Sequence, residues 1–139
     1  MNSIKGKFAL VTGGTQGLGA AIAKNFADSG AEGVVTVGRK EDKGNEVAKK
    51  IQDETGCKVI FVKTDLGEVQ ECRNAVSVAK KEFGRLDVLV NAAGITDRGD
   101  IVNTSEELFD KMIGTNLKGP YFLIQDRVKI MIDKNIEGS

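Results

Sequence analysis

The stretch VTGGTQGLG, Val11 to Gly19, decides how the rest of the chain is read. Four of its nine residues are glycine, and they stand between the apolar run KFALVT, from Lys7, and an alanine-rich segment. A strand turning directly into a helix at such a loop gathers free backbone N–H groups and the positive helix end at one point. That arrangement receives a phosphate without any charged side chain. The glycines then serve a tight turn, close backbone approach to a pyrophosphate, and close packing of helix on strand. A glycine-rich turn can also be purely steric. What separates the two is context: a strand before and a helix after, inside a repeating strand–helix unit.

That context is present. Apolar runs begin at Lys7 (KFALVT), Gly33 (GVVTVG), Lys58 (KVIFVKTD) and Leu86 (LDVLVN), roughly every 25 to 28 positions. They are valine-rich and continuous rather than alternating, as in parallel strands buried on both faces. Between them lie helical stripes: Leu18, Ile22 and Phe26, ended by Gly30; Val47, Ala48 and Ile51, closed by Gly56; and Val69, Cys72, Val76, Ala79 and Phe83, followed by Gly84. Successive βαβ units with right-handed crossovers follow, so the expected fold class is α/β: a Rossmann-like parallel sheet with helices on both faces.

After the fourth run, NTSEELFDKM offers Thr104 or Ser105 as an N-cap ahead of acidic residues. A longer helix is predicted next, with Leu117, Tyr121, Ile124, Val128 and Met131 on one face and Pro120, the only proline, inside it. No linker interrupts the pattern, which gives a single domain over residues 1–139. The pattern stops at NIEGS, where a turn into a fifth strand is expected. The domain therefore reads as truncated after the fourth strand and the long helix, incomplete at the C-terminus, with DVLV left as an unpaired apolar edge.

Twenty Lys plus Arg balance twenty Asp plus Glu, which argues against a broad surface for nucleic acid or acidic membrane. No apolar run approaches the ~20 residues of a membrane span, and no signal peptide is evident. There is no histidine, and Cys57 and Cys72 lack metal-ligand spacing. No metal site is expected, His-based triads are excluded, and a reducing, cytoplasmic setting is expected.

The glycine loop has the spacing Thr-Gly-x-x-x-Gly-x-Gly at Thr12, Gly13, Gly17 and Gly19. This is neither GxGxxG nor a P-loop. VNAAG (Asn91, Ala92, Ala93, Gly94) follows the fourth strand, KTDL brings Asp65 to the end of the third, and TNLKG carries Asn116. In this order and spacing the chain resembles the short-chain dehydrogenase/reductase family along its whole length, with Ala92 in place of that family's second Asn. The resemblance implies cofactor binding by Gly13, Thr15, Gln16, Gly17, Leu18 and Gly19, by Arg39, by Asp65 (the adenine-contacting acid) and Leu66, and by Asn91, Ala93 and Gly94.

Where NAD-preferring relatives carry an acid at the end of the second strand, this chain has Gly38, then Arg39 and Lys40. A guanidinium there can fork onto a ribose 2′-phosphate, so NADP(H) is the expected cofactor, with NAD(H) the alternative. The plainer account makes Arg39 and Lys40 solvated residues opening a helix.

Pro120 has no N–H, so the Asn116 carbonyl four residues earlier loses its helical donor and the helix is predicted to bend. The resemblance implies a catalytic role for Asn116, its backbone oxygen holding a water in the proton relay to a lysine. The family's Tyr-x-x-x-Lys pair and serine find no match: Tyr121 is the only tyrosine, and Gln125 stands four residues later. Tyr121, on the apolar stripe, is expected in the core.

The resemblance thus implies an oxidoreductase transferring hydride between NADP(H) and a small-molecule carbonyl or alcohol, present here as the cofactor-binding part and inactive alone. The alternative is a non-catalytic nucleotide-binding or interaction module. Expected partners are the dinucleotide, the substrate in the complete protein, and further copies in a homo-oligomer through the strand edge or last helix. No nucleic acid or membrane is expected.

Overall fold

The structure, a computed structural model, describes residues 3–139. Four parallel strands, β1 (Phe8–Thr12), β2 (Gly33–Gly38), β3 (Lys58–Lys63) and β4 (Val88–Val90), lie in the order β3-β2-β1-β4. The chain steps outward from β1 to β3 and then crosses back to β4. The strand order reverses beside β1, and in an open α/β sheet that reversal leaves a crevice at the carboxyl ends of the strands.

Alternate strand residues feed two cores. Leu10, Val35 and Val37 meet Cys72, Ala75, Val76 and Ala79 of α3 (Val69–Phe83) and Leu123 and Ile130 of α5 (Gly119–Lys134). Val11, Val34 and Val59 meet Ala23 and Ala27 of α1 (Gly17–Asp28) and Ala48 and Ile51 of α2 (Glu41–Thr55). Burial on both faces is why the strands read as continuous valine-rich runs.

The helix stops fall where the glycines put them. At Gly30 (φ +87°) the Ala31 N–H donates to Phe26 O at 3.0 Å and the Gly30 N–H to Ala27 O at 3.2 Å, the paired closure that a left-handed residue permits. Gly56 and Gly84 close α2 and α3. The packing row of α1 differs from the expected one. Gly19, Ala23 and Ala27 face the sheet, Ile22 and Phe26 flank that core, and Leu18 is 70% exposed. The cause is proximity: a Cβ on Gly19 would stand 2.4 Å from Gly13 O, so only the small residues fit beneath this helix.

Helix α4 (Glu106–Ile113) starts at Ser105, whose Oγ accepts from the Leu108 N–H at 3.2 Å; the Thr104 hydroxyl instead donates to Asp100 O at 2.6 Å. Ser105→Ala is expected to lower stability by about 1 kcal/mol, and Ser105→Asp to retain it, by denaturant unfolding.

A π-helical turn, Gly114–Lys118, joins α4 to α5, and the Gly119 N–H reaches Gly114 O five residues back. This wide turn is the disturbance expected at Pro120, whose ring and missing N–H cannot fit the regular ladder. The face of α5 is corrected. Gly119, Leu123, Arg127 and Ile130 are buried, while Leu117 and Tyr121 are 62% and 59% exposed and Ile124 and Val128 are also exposed. Tyr121 is therefore not a core residue. Gly119 sets the row: a Cβ there would stand 2.2 Å from Leu66 O, so this side of the helix must lie against the sheet-end loop.

The expected open edge at β4 is partly covered. The Ser139 N–H donates to Asp87 O at 3.1 Å and the Leu89 N–H to Ser139 O at 3.0 Å, a parallel pairing beside Val88. Beneath it, the fully buried Asp87 carboxylate accepts from the Phe8 N–H at 2.9 Å and from Arg85, tying the starts of β1 and β4 together. Arg127, also buried, donates to the Asp87 carbonyl; burial lowers its pKa, opposed by the Asp87 charge.

Candidate functional site

The carboxyl ends of β1, β2 and β4 and the start of α1 surround a cleft of about 330 Å³. Three side-chain and backbone links fix its walls. Gly13 (φ +72°) brings the loop so close to the β4 exit that a Cβ would stand 3.1 Å from Ala93 Cα. The Thr12 hydroxyl accepts from the Ala93 N–H at 3.0 Å. The Asn116 amide clamps Ile95 from both sides, donating through Nδ2 to Ile95 O at 2.8 Å and accepting through Oδ1 from the Ile95 N–H at 2.9 Å.

Of the residues singled out from sequence, Gly13, Thr15, Gln16, Gly17, Leu18 and Gly19 line this cleft, as do Arg39, Asp65, Leu66, Ala93 and Gly94. Asn91 and Asn116 stand outside its walls; Asn116 acts on the β4 exit loop, while its neighbour Thr115 lines the cleft. Val37 and Thr64 also line the cleft, though neither was singled out as a site residue, Thr64 standing within KTDL beside Asp65. Their signal is positional: they sit at the ends of β2 and β3, where an open parallel sheet faces its crevice.

The electrostatics favour an anion at the floor. Gln16 caps α1 without a side-chain hydrogen bond, and the first turn holds no acid. By contrast α2, α3 and α4 each carry acidic residues in the first turn. The leading N–H groups of α1 and its positive end therefore have no built-in partner. Toward the outer end, the Glu71 carboxylate accepts from the Asp65 N–H at 2.6 Å, and Asp65 Oδ1 accepts from the Gly67 N–H at 2.9 Å, which holds that loop in place. A second hollow continues past Arg39, Asp65 and Thr115 toward Lys111 and Lys118.

The cysteines are not part of the site. Burial pushes the Cys72 thiol up to about 11 and raises that of Cys57 as well. A thiol held protonated and inside a core is a poor nucleophile. Neither is expected to react with iodoacetamide at pH 7.5 in the native protein, and both should react on unfolding, as intact mass would show. Among the described residues no group of three or more His, Cys, Asp or Glu could hold a metal ion, and no helix is long and apolar enough to cross a membrane.

The family model for short chain dehydrogenases matches residues 7–139. The chain belongs to the short-chain dehydrogenase family. It is 38% identical over 133 residues to the 3-oxoacyl-[acyl-carrier-protein] reductase of Chlamydia muridarum, covering 95% of this chain and 53% of that protein. With an uncharacterized oxidoreductase of Staphylococcus saprophyticus it shares 35% identity, over 97% of this chain and 57% of the relative. Among solved structures, the L-sorbose reductase of Gluconobacter frateurii, complexed with NADPH and L-sorbose, superposes with a TM-score of 0.90 at 30% identity, over 95% of this chain and 50% of that one. A metagenomic short-chain oxidoreductase in complex with NADP gives 0.89 at 32%, over 99% of this chain and 61% of that one. The chain thus spans about half the length of the curated relatives it matches. The four-stranded parallel sheet and its flanking helices are those of a short-chain dehydrogenase.

Proposed function

We propose that this short-chain dehydrogenase chain binds NADP(H) in the cleft and forms the cofactor-binding part of an enzyme that interconverts a carbonyl and an alcohol. The observation that carries the proposal is the convergence of an unpartnered helix start, a glycine loop and Arg39 on one cleft. Uncapped N–H groups with no acid beside them suit a pyrophosphate. Arg39, directly after Gly38 at the place where an acid would read a ribose 2′-OH, suits a 2′-phosphate. The NADPH and NADP bound in related structures point the same way.

Hydride donation and acceptance is the chemistry the dinucleotide supplies when bound. The residues of this chain do the rest of the binding work. Asp65 and Leu66 border the adenine end. Thr12 and Asn116 hold the Ala93–Ile95 segment, which shapes the nicotinamide end. Asn116 is further assigned a water-holding role through its main-chain oxygen, which Pro120 cannot bond. Tyr121 is a poor candidate for protonating the alkoxide, because Gln125 rather than a lysine stands four residues on.

Titration of this chain with NADPH, followed by fluorescence, tests the binding. Saturable binding with no turnover of carbonyl substrates is expected of the 139 residues; absence of binding would refute the assignment. Binding without turnover even when the chain is joined to a complete catalytic half would instead favour a non-catalytic nucleotide-binding module.

Self-association belongs to the same proposal. Phe109, Ile113, Leu117, Tyr121, Ile124 and Val128 are exposed along α4 and α5, an apolar face that a second copy would cover. The helix face is preferred over the β4 edge, which Ser139 already meets. A monomer by light scattering at high concentration would overturn this. The two free cysteines suit a reducing, cytoplasmic setting.

A further inference from the structure

We propose that Thr36, inside β2, is a positioning residue for cofactor binding: the glycine loop is seated on its branched side chain. The inference rests on the dinucleotide assignment above and adds to it a residue outside the walls of the cleft. Gly13 and Thr15 line the cleft, whereas Gly14 between them does not. Gly14 turns instead to β2, where its N–H donates to Val37 O at 3.1 Å. A Cβ on Gly14 would overlap Thr36 Cβ and stand 2.9 Å from Thr36 Cγ2. Thr36 Cβ is fixed to the strand and cannot swing aside. Strand alternation puts residue 38 on the same face as residue 36. There the fit is reversed, since a Cβ on Gly38 would stand 2.8 Å from Thr15 Cγ2. A bare loop residue over a branched strand residue, then a branched one over a bare one, sets the height and register of the loop on β2.

The seat works by shape. Thr36 is fully buried, and its Oγ1 has no hydrogen-bond partner among the described residues. Its position matters for binding because the Gly14 N–H is already spent on β2. The donors left for a pyrophosphate are the leading N–H groups of α1, just beyond the seat. Carbon atoms pack at about 3.5–4.0 Å, so relieving an overlap at Gly14 moves the loop by roughly 1 Å. Charge-assisted hydrogen bonds hold at about 2.7–2.9 Å and do not survive such a shift intact. Arg39 follows β2 itself and stays where it is. A change at the seat is therefore felt at the pyrophosphate, which NADPH and NADH share.

The test titrates the whole chain with NADPH and with NADH by fluorescence, with thermal melts confirming folding. Gly14→Ala should weaken both dinucleotides alike, by about tenfold or more, as expected for the loss of one charge-assisted hydrogen bond. In a Thr36→Gly background, which removes the seat, the same change should cost no more than about threefold. Two conservative variants give the same reading without a glycine in the strand. Thr36→Val keeps the branch and should bind both dinucleotides as wild type does, melting no lower. Thr36→Ser keeps the hydroxyl but loses the branch methyl, and should weaken both by about two- to fivefold. Three results each overturn the role of Thr36 while leaving the cleft assignment standing: equal costs of Gly14→Ala in both backgrounds, a loss confined to NADPH, or weaker binding in Thr36→Val than in Thr36→Ser. Wild-type protein that binds neither dinucleotide refutes the cleft assignment, and the seat with it.

Discussion

Arg39→Asp is expected to weaken NADPH binding by on the order of 100-fold while changing NADH binding by no more than a few-fold. A charge-assisted guanidinium–phosphate contact contributes about 1.5–3 kcal/mol, and each 1.4 kcal/mol is tenfold in affinity. Placing a carboxylate in the same spot adds repulsion of the phosphate and offers an acceptor to a ribose 2′-OH. The acid is placed at 39 rather than 38 because a Cβ on Gly38 would stand 2.8 Å from Thr15 Cγ2 and force that side chain aside. Titration of both dinucleotides reads the outcome directly. Equal losses would mean that Arg39 does not read the 2′-phosphate, and the NADP(H) preference would fall.

The largest expected effect on stability is at Leu123. It is fully buried in the core between the sheet, α3 and α5. Leu123→Ala removes that burial and leaves a cavity, lowering stability by about 2–5 kcal/mol. Tyr121→Ala, two residues earlier and 59% exposed, should change it by no more than about 0.5 kcal/mol in the monomer. Urea unfolding of the two variants at low protein concentration separates the rows. A larger loss at Tyr121 would restore the Leu117–Tyr121–Ile124 stripe as the core face.

That contrast shows where the sequence was legible and where it was not. The strands, their parallel pairing and the glycine stops at Gly30, Gly56 and Gly84 could be read locally, since each rests on residues adjacent in the chain. The glycine loop was legible for the same reason. The faces of α1 and α5 were not. Hydrophobic spacing favoured Leu18 and Tyr121, but the buried rows are set by Gly19 and Gly119, which lie against the Gly13 and Leu66 carbonyls. Contact so close admits glycine and alanine and turns larger residues outward. A hydrophobicity pattern gives small residues little weight, so it favours the wrong side.

The side-chain clamp of Asn116 on Ile95 was likewise out of reach. The sequence marked Asn116 through Pro120 and drew attention to its main-chain oxygen, whereas its amide is bound to a segment 21 residues away. The pairing of Ser139 with β4 is of the same kind.

By itself the sequence determined a parallel α/β domain with a phosphate-ready turn after its first strand, because strand burial, helix stops and turn geometry are encoded by neighbours. The tertiary structure decided which helix faces are inside, which atoms fix the β4 exit, and which residues from distant parts of the chain line one cleft. Those depend on distances between residues far apart in the chain, and a hydrogen bond or a missing Cβ acts only once the fold has brought its partners within about 3 Å.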